Sequence, residues 1–62
     1  MNNLKDIRES KGYSVAELAR KSNISRQTIH RLENEEVDSA NSKTLASLAD
    51  ALEVKVADFF VE

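Results

Sequence analysis

Five polar side chains near the middle of the chain have the chemistry needed to read the edges of DNA bases. They follow Ser25 within one short stretch: Arg26, Gln27, Thr28, His30 and Arg31. Arginine and glutamine can each form two hydrogen bonds with a base edge in the major groove, arginine with guanine and glutamine with adenine. We expect this stretch to be a helix that carries these side chains on its outer side. The alternative is that they form the solvated face of an ordinary helix.

Catalytic and metal-binding chemistry have little support in the composition. The chain has no Cys and a single His, so neither disulfides nor thiolate metal sites are expected. Its only glycine, Gly12, cannot form a phosphate-cradling loop, and no nucleophile partner for His30 is apparent. Ser14, Ser25 and Ser42 stand at predicted helix starts, where capping explains them. We therefore expect no enzyme activity, no metal site and no cofactor.

The chain is slightly acidic, but its charges are unevenly distributed. Its 62 residues suffice for one domain, 1–62, with a formal net charge of −2. Residues 18–32 contain no acid, and their basic side chains are Arg20, Lys21, Arg26, His30 and Arg31. Acids gather within residues 33–38 and again within residues 50–62. A domain with one basic face can bind DNA, although we expect weak affinity for non-specific sequences.

The sequence contains no signal for a membrane or for secretion. No apolar run approaches the roughly 20 residues that a membrane span needs. The first residues, Met1-Asn2-Asn3, lack the basic region and apolar stretch of a secretion signal. Together with the lack of Cys, these features favour a cytoplasmic location.

Capping signals predict the first two helices. Leu4, Ile7 and Arg8 are spaced as in a helix, and Gly12 suits the left-handed residue that ends it. The run Ser14-Val15-Ala16-Glu17 matches a capping box, in which Glu17 reaches back to the cap. Helix 2 should then run to about residue 22.

A tight turn should join helix 2 to helix 3. Ala19 is small enough for two helices to cross closely, and Asn23 tolerates the left-handed conformation of a short turn. Ser25 is a suitable N-cap for helix 3. Three apolar residues should anchor this helix to the core: Ile24, Ile29 and Leu32. This turn places the five polar side chains near the start of an exposed helix.

Two more helices are predicted after an irregular loop over residues 35–41. Ser42 can cap helix 4, which has an apolar stripe formed by Leu45, Leu48, Ala49 and Leu52. A short fifth helix should close the core with Val54, Val56, Phe59 and Phe60. One Phe should fill the core, and the other should lie at its edge or at a dimer contact. The predicted fold is all-α, with five helices.

Several short motifs follow one another along the chain in a set order. They are Leu4-x-x-Ile7-Arg8 with Gly12, Ser14-x-x-Glu17-Leu18-Ala19, Ile24-Ser25-Arg26-x-x-Ile29, Leu32-Glu33-Asn34, Leu45-x-x-Leu48-Ala49-x-x-Leu52 and Phe59-Phe60. In this, the chain resembles the Cro/C1-type (XRE-like) helix-turn-helix domains of phage repressors and bacterial transcription regulators, over nearly its whole length. The resemblance implies a compact five-helix, lambda-repressor-like bundle with the helix-turn-helix at helices 2 and 3. It also implies a bacterial or phage-encoded protein associated with the nucleoid.

The resemblance assigns roles to individual residues. The base-reading positions are those of Arg26, Gln27 and Arg31. Contacts with phosphates or flanking bases would come from Ser14, Ser25, Thr28, His30, Asn34 and Lys43. Arg8 and Glu33 fall where the family often has a structural ion pair, so Glu33→Ala should affect folding more than binding directly.

The chain departs from the family pattern at three places. Val15 stands where the family commonly has Gln, and Glu53 stands where helix 4 usually ends in Gly. The loop after Asn34 is acidic, Glu35-Glu36-Val37-Asp38, where the family usually has Gly and basic residues. These acids should repel phosphate unless they point away from the duplex.

We therefore expect a homodimeric regulator that binds double-stranded DNA in the major groove. It should act as a repressor on a palindromic operator. The candidate dimer contacts lie near the C-terminus: Val54, Val56, Phe59, Phe60 and Val61. The alternative is a protein-interaction module, such as an antitoxin that binds a partner protein and represses its own promoter. The net acidity and the acidic loop motivate that alternative.

Overall fold

The computed structural model describes residues 3–34 and 40–60 of the chain. Over these residues it has four α-helices: α1 (Leu4–Ser10), α2 (Val15–Ser22), α3 (Arg26–Asn34) and α4 (Ser42–Leu52). A short 3₁₀ helix, Val56–Phe59, follows α4. The prediction of an all-α fold is confirmed, and the prediction of five α-helices is wrong, because there are four. No helix in the described ranges is long and apolar enough to cross a membrane.

The segment expected to be a fifth helix is a single 3₁₀ turn. It has only four residues, and it lies between the extended residues Lys55 and Phe60. The Lys55 N–H donates to Asp58 Oδ2 at 3.1 Å, which closes the turn. At the other end of the chain, the Asn3 N–H donates to the Phe59 carbonyl at 2.9 Å. A segment this short cannot propagate an α-helix, and its contacts with the start of α1 hold it in place instead.

The ends of α1 and α2 follow the predicted capping signals. Gly12 has a φ of 80°, the left-handed conformation expected after α1. At the start of α2, the Ser14 hydroxyl accepts from the Glu17 N–H at 3.1 Å, and the Glu17 carboxylate accepts from the Ser14 N–H at 2.9 Å. Asn23, which follows α2, has a φ of 60°. The capping box and both left-handed residues are therefore confirmed.

The start of α4 differs from the prediction by one residue. Asn41, not Ser42, is the N-cap, and its side-chain Oδ1 accepts from the Thr44 N–H at 2.7 Å. Ser42 is the first residue inside the helix. Asparagine and serine are comparable caps, so local sequence could not choose between two adjacent candidates. Residues 35–39 of the predicted loop lie outside the described residues.

A single apolar core lies between the four helices and the 3₁₀ turn. Its buried members are Leu4, Leu18, Ile29, Leu32, Leu45, Leu48, Ala49, Leu52 and Phe59. The predicted stripe of α4 is therefore entirely buried, and α2 packs against both α3 and α4. The two neighbouring Phe residues separate: Phe59 is fully buried, whereas Phe60 is 41% exposed. The structure thus places Phe59 in the core and leaves only Phe60 with a surface that a second copy could contact.

Glu53 occupies a backbone conformation that disfavours any residue with a Cβ atom. It ends α4 with a φ of 58°, in the left-handed region, and its side chain is exposed. The Val54 N–H closes this helix end by donating to the Ala49 carbonyl at 3.0 Å. A helix end of this kind favours glycine, which pays no steric cost there.

We therefore expect Glu53→Gly to raise the free energy of unfolding by about 0.5–1 kcal/mol. This is a net value, because the relief of steric strain in the folded state is partly offset by the greater conformational freedom of glycine in the unfolded chain. Thermal unfolding should show a rise in melting temperature of about 4–8 °C for each kcal/mol gained. Glu53→Ala is the control, because it removes the same carboxylate and keeps the Cβ atom. Equal stability of the Gly and Ala variants would show that backbone strain at this residue is unimportant.

Candidate nucleic-acid interface

The junction of α2 and α3 is a turn of three residues between two packed helices. Asn23 takes the left-handed conformation, and Ile24 and Ser25 complete the turn before α3 begins at Arg26. Ile24 is half-buried against the core. On α3 itself, Ile29 and Leu32 are fully buried. The inner side of α3 is therefore held by the apolar residues that the sequence had indicated.

The outer side of α3 is polar and open to solvent. Its four exposed long polar side chains are Arg26, Gln27, His30 and Arg31. Within residues 3–34 and 40–60, no carboxylate forms an ion pair with Arg26 or Arg31. Within these ranges, neither guanidinium group would have to break an ion pair with a carboxylate in order to bind a nucleic acid.

The first turn of α3 is organised by two hydroxyl groups. The Ser25 Oγ accepts from the Thr28 N–H at 3.2 Å, so Ser25 caps the helix as predicted. The same Ser25 hydroxyl donates to Thr28 Oγ1 at 2.8 Å, and Thr28 is half-buried. In this arrangement the Thr28 hydroxyl keeps its own proton for a further acceptor. It can donate to a phosphate oxygen beside the start of α3.

Three other predicted contact residues lie on helices or helix ends around this surface. Ser14, Asn34 and Lys43 are all exposed, at the start of α2, the end of α3 and the first turn of α4. An open cleft of about 300 Å³ is lined by residues of the α2–α3 turn and of α4: Ser22, Asn23, Ile24, Lys43, Thr44 and Ser47. Lys43 therefore lines the same cleft as the turn that precedes α3.

The start of α2 already has an anion of its own. The Glu17 carboxylate accepts the Ser14 N–H, and this hydrogen bond lowers the pKa of Glu17. The Ser14 hydroxyl accepts from the Glu17 N–H, and hydrogen bonding between the Ser14 side chain and the Glu17 carboxylate lowers the pKa of Glu17 further. A phosphate at this helix end would contact the Ser14 hydroxyl and lie close to a negative charge.

The pKa of Glu17 makes this cap sensitive to acid. The folded-state pKa is lowered, so the stability that the ionised group contributes is complete above the unfolded value, about 4.3, and is lost as pH falls towards the folded value. We expect the advantage of the wild type over Glu17→Gln, measured by urea unfolding, to be largest near pH 7. It should shrink as pH falls below about 4.3. A stability difference that stays constant across this pH range would contradict the role of ionised Glu17 in the cap. Asp6→Asn is the control, because Asp6 is an exposed carboxylate on α1.

A buried ion pair connects α1 with the end of α3. The Arg8 Nε donates to Glu33 Oε2 at 2.6 Å, and the Arg8 Nη2 donates to Glu33 Oε1 at 3.3 Å. The side chains of Arg8 and Glu33 are only 10% and 5% exposed. The Arg8 Nη1 also donates to the Tyr13 carbonyl at 2.8 Å, in the segment that leads into α2. One guanidinium group therefore connects α1, the entry to α2 and the end of α3.

Two residues with a structural part in this surface have no assigned role in the sequence analysis. Ser22 is buried at the end of α2, and its hydroxyl donates to the Leu18 carbonyl at 2.7 Å and accepts from the Ile24 N–H at 3.2 Å. Tyr13 is half-buried, and the Lys21 ammonium lies 5.2 Å from the centre of its ring. A serine beside a predicted turn was the available signal for Ser22, whereas nothing in the sequence indicated the contact between Lys21 and Tyr13.

Comparison with known families agrees with this geometry. A helix-turn-helix family model matches residues 4–59, which include all four α-helices and the 3₁₀ turn. Comparison with curated proteins and with solved structures gave no significant match.

Proposed function

We propose a function that starts from the family to which the chain belongs. This is the Cro/C1-type helix-turn-helix family of DNA-binding regulators. In general terms the chain is therefore a DNA-binding regulator. We propose that it binds a specific operator in double-stranded DNA by placing α3 in the major groove. By occupying that operator it acts as a repressor.

The observation that carries this proposal is the division of α3 into a buried side and an exposed side. Ile29 and Leu32 are fully buried, while Arg26, Gln27 and Arg31 are exposed. A helix fixed to the core on one side can hold its outer side chains against base edges with little loss of freedom. We propose that these three side chains read the bases, each bidentate contact being worth about 1–3 kcal/mol of discrimination.

Contacts with the DNA backbone would place α3 in register with the groove. The proposed residues for phosphates or flanking bases are Ser14, Ser25, Thr28, His30, Asn34 and Lys43. Lys43 is supported by its place in the cleft that the α2–α3 turn also lines, and Thr28 by its available hydroxyl proton. Such contacts fix position and carry most of the salt dependence, but they do not read sequence.

A homodimer on a palindromic operator fits the size of this reading surface. One α3 can read only a few base pairs, and a twofold-related copy would bring a second α3 into the adjacent major groove, about 34 Å away. The exposed Phe60 supports a contact near the C-terminal end, where the half-buried Val54 and Val56 precede it in the same segment. Val61, the last candidate contact, lies outside the described residues.

The same proposal includes the domain organisation and the location of the protein. We propose that residues 1–62 act as one domain with the bundle architecture of the lambda repressor type. The protein would work on the nucleoid in the cytoplasm of a bacterium, as a bacterial or phage-encoded regulator without a cofactor.

The experiment that tests this function is in vitro selection from a random DNA library with the purified chain. We expect an enriched palindrome, and a titration at two salt concentrations should show affinity falling steeply with salt. The control is a variant with Arg26, Gln27 and Arg31 all replaced by Ala, its helical content first checked by circular dichroism. If the wild type enriches no sequence and binds DNA no better than this control, the proposal is wrong, and a pull-down for a protein partner becomes the next experiment.

A further inference from the structure

Within residues 3–34 and 40–60, three helix ends have a left-handed residue, and they are closed in two different ways. After Gly12, the Tyr13 N–H donates to the Arg8 carbonyl at 3.2 Å, and after Glu53 the Val54 N–H donates to the Ala49 carbonyl at 3.0 Å. In both cases the acceptor is the main-chain carbonyl five residues earlier. After Asn23, by contrast, the Ile24 N–H donates to the side-chain hydroxyl of Ser22. The turn that leads into α3 therefore depends on a side chain, unlike the other two.

Ser22 is well held in the position that this closure requires. It is 7% exposed, and its hydroxyl donates to the Leu18 carbonyl at 2.7 Å while it accepts from the Ile24 N–H at 3.2 Å. A serine hydroxyl has one proton to donate, so the bond to Leu18 fixes the direction of the lone pairs that face Ile24. The path of the chain from α2 into α3 is set by these two bonds.

Loss of the hydroxyl would leave the turn with two unfavourable options. The Ile24 N–H could stay in place without a partner, which is costly for a partly buried donor. Alternatively, the turn could close like the other two helix ends, with the Ile24 N–H donating to the carbonyl five residues back, that of Ala19. The second option changes the backbone path through Asn23 and with it the angle between α2 and α3.

We infer that Ser22 is a positioning residue that sets the angle at which α3 meets DNA, acting through the N–H of Ile24. This inference rests on the proposed function, because it concerns the reading of bases by α3. Ser22 itself contacts no base. Loss of its hydroxyl should reduce the discrimination between DNA sequences, because a tilt of α3 displaces the base-reading side chains. The general attraction to phosphate should be unchanged.

The binding test uses three variants of the full chain: Ser22→Ala, Ser22→Thr, and Ser47→Ala as a control in the same cleft. We expect Ser22→Ala to bind the selected operator about tenfold more weakly, with its affinity for random-sequence DNA and its salt dependence unchanged. Ser22→Thr keeps a hydroxyl and should retain operator affinity within about twofold, as should Ser47→Ala. Equal losses on operator and random DNA in Ser22→Ala, or wild-type operator affinity in that variant, would overturn the inference.

A second measurement separates this inference from the proposed function. Residual dipolar couplings of backbone amides report the angle between α2 and α3 without DNA. We expect this angle to differ from the wild type in Ser22→Ala and to be unchanged in Ser22→Thr and Ser47→Ala. An unchanged angle in a folded Ser22→Ala overturns the positioning role; so does a Ser22→Thr variant that shifts as much as Ser22→Ala. If the wild type selects no operator, the proposed function fails while the angle still decides whether Ser22 positions α3.

Discussion

Glu33→Ala is expected to lower the free energy of unfolding by about 3–5 kcal/mol, because it leaves the buried Arg8 guanidinium without its carboxylate. The pair is largely shielded from water, with side chains only 10% and 5% exposed, and two hydrogen bonds join it. Arg8 cannot avoid the cost by losing its proton, because the guanidinium group of arginine stays protonated in proteins. A domain of this size has only a few kcal/mol of stability, so most of the variant should be unfolded at 37 °C.

Chemical and thermal unfolding followed by circular dichroism would measure this loss. Glu9→Ala is the matched control, since Glu9 also approaches Arg8, at 4.0 Å, but its side chain is 56% exposed. That variant should lie within about 0.5 kcal/mol of the wild type. The double variant Arg8→Met with Glu33→Leu removes both charges and should recover most of the stability. A single Glu33→Ala variant as stable as Glu9→Ala would contradict the structural role of this pair.

Arg26→Ala is expected to lower affinity for the preferred operator by about 1–3 kcal/mol and to relax the preference at one base pair. The reason is that a bidentate contact from an exposed arginine on α3 is lost, while the fold keeps its buried residues Ile29 and Leu32. Gln27→Ala should act in the same way at a different base pair. Binding to a set of operators with single substitutions, measured at constant salt, would locate each relaxed position.

Lys43→Ala is the informative comparison for these variants. Lys43 is exposed on the first turn of α4, where the proposed contact is with a phosphate. Its loss should weaken binding to all sequences about equally and reduce the slope of log affinity against log salt by about 1. If Arg26→Ala behaved like Lys43→Ala, with every preference retained, then Arg26 would contact the backbone and the base-reading face would need reassignment.

Features that depend on neighbouring residues were predictable from the sequence. The capping box of α2 and the left-handed conformations of Gly12 and Asn23 each follow from the types of a few adjacent residues. The apolar stripe of α4 follows from helical periodicity, and all four of its residues are buried. Two predictions were wrong. Ser42 was predicted as the cap of α4 although the adjacent Asn41 offers a similar local signal. A fifth α-helix was predicted in a segment that is too short for local preference to decide its structure.

The polar outer side of α3 was also predictable, since burial of Ile29 and Leu32 at helical spacing leaves Arg26 and Gln27 exposed. The sequence thus indicated the candidate residues that we propose read DNA. It could not determine the angle of α3, because that depends on the Ser22 hydroxyl and on contacts between residues far apart in the chain.

Among the long-range contacts, the family resemblance implied the Arg8–Glu33 pair, and the structure contains it. Only the tertiary structure decided that Arg8 also contacts the Tyr13 carbonyl, and that Phe59 is buried beside an exposed Phe60. Two adjacent residues of one type carry the same local preference, and the shape of the core chooses which of them turns inward. Residue types and spacing therefore determined the elements and the candidate reading face, whereas packing determined the positions that these elements take.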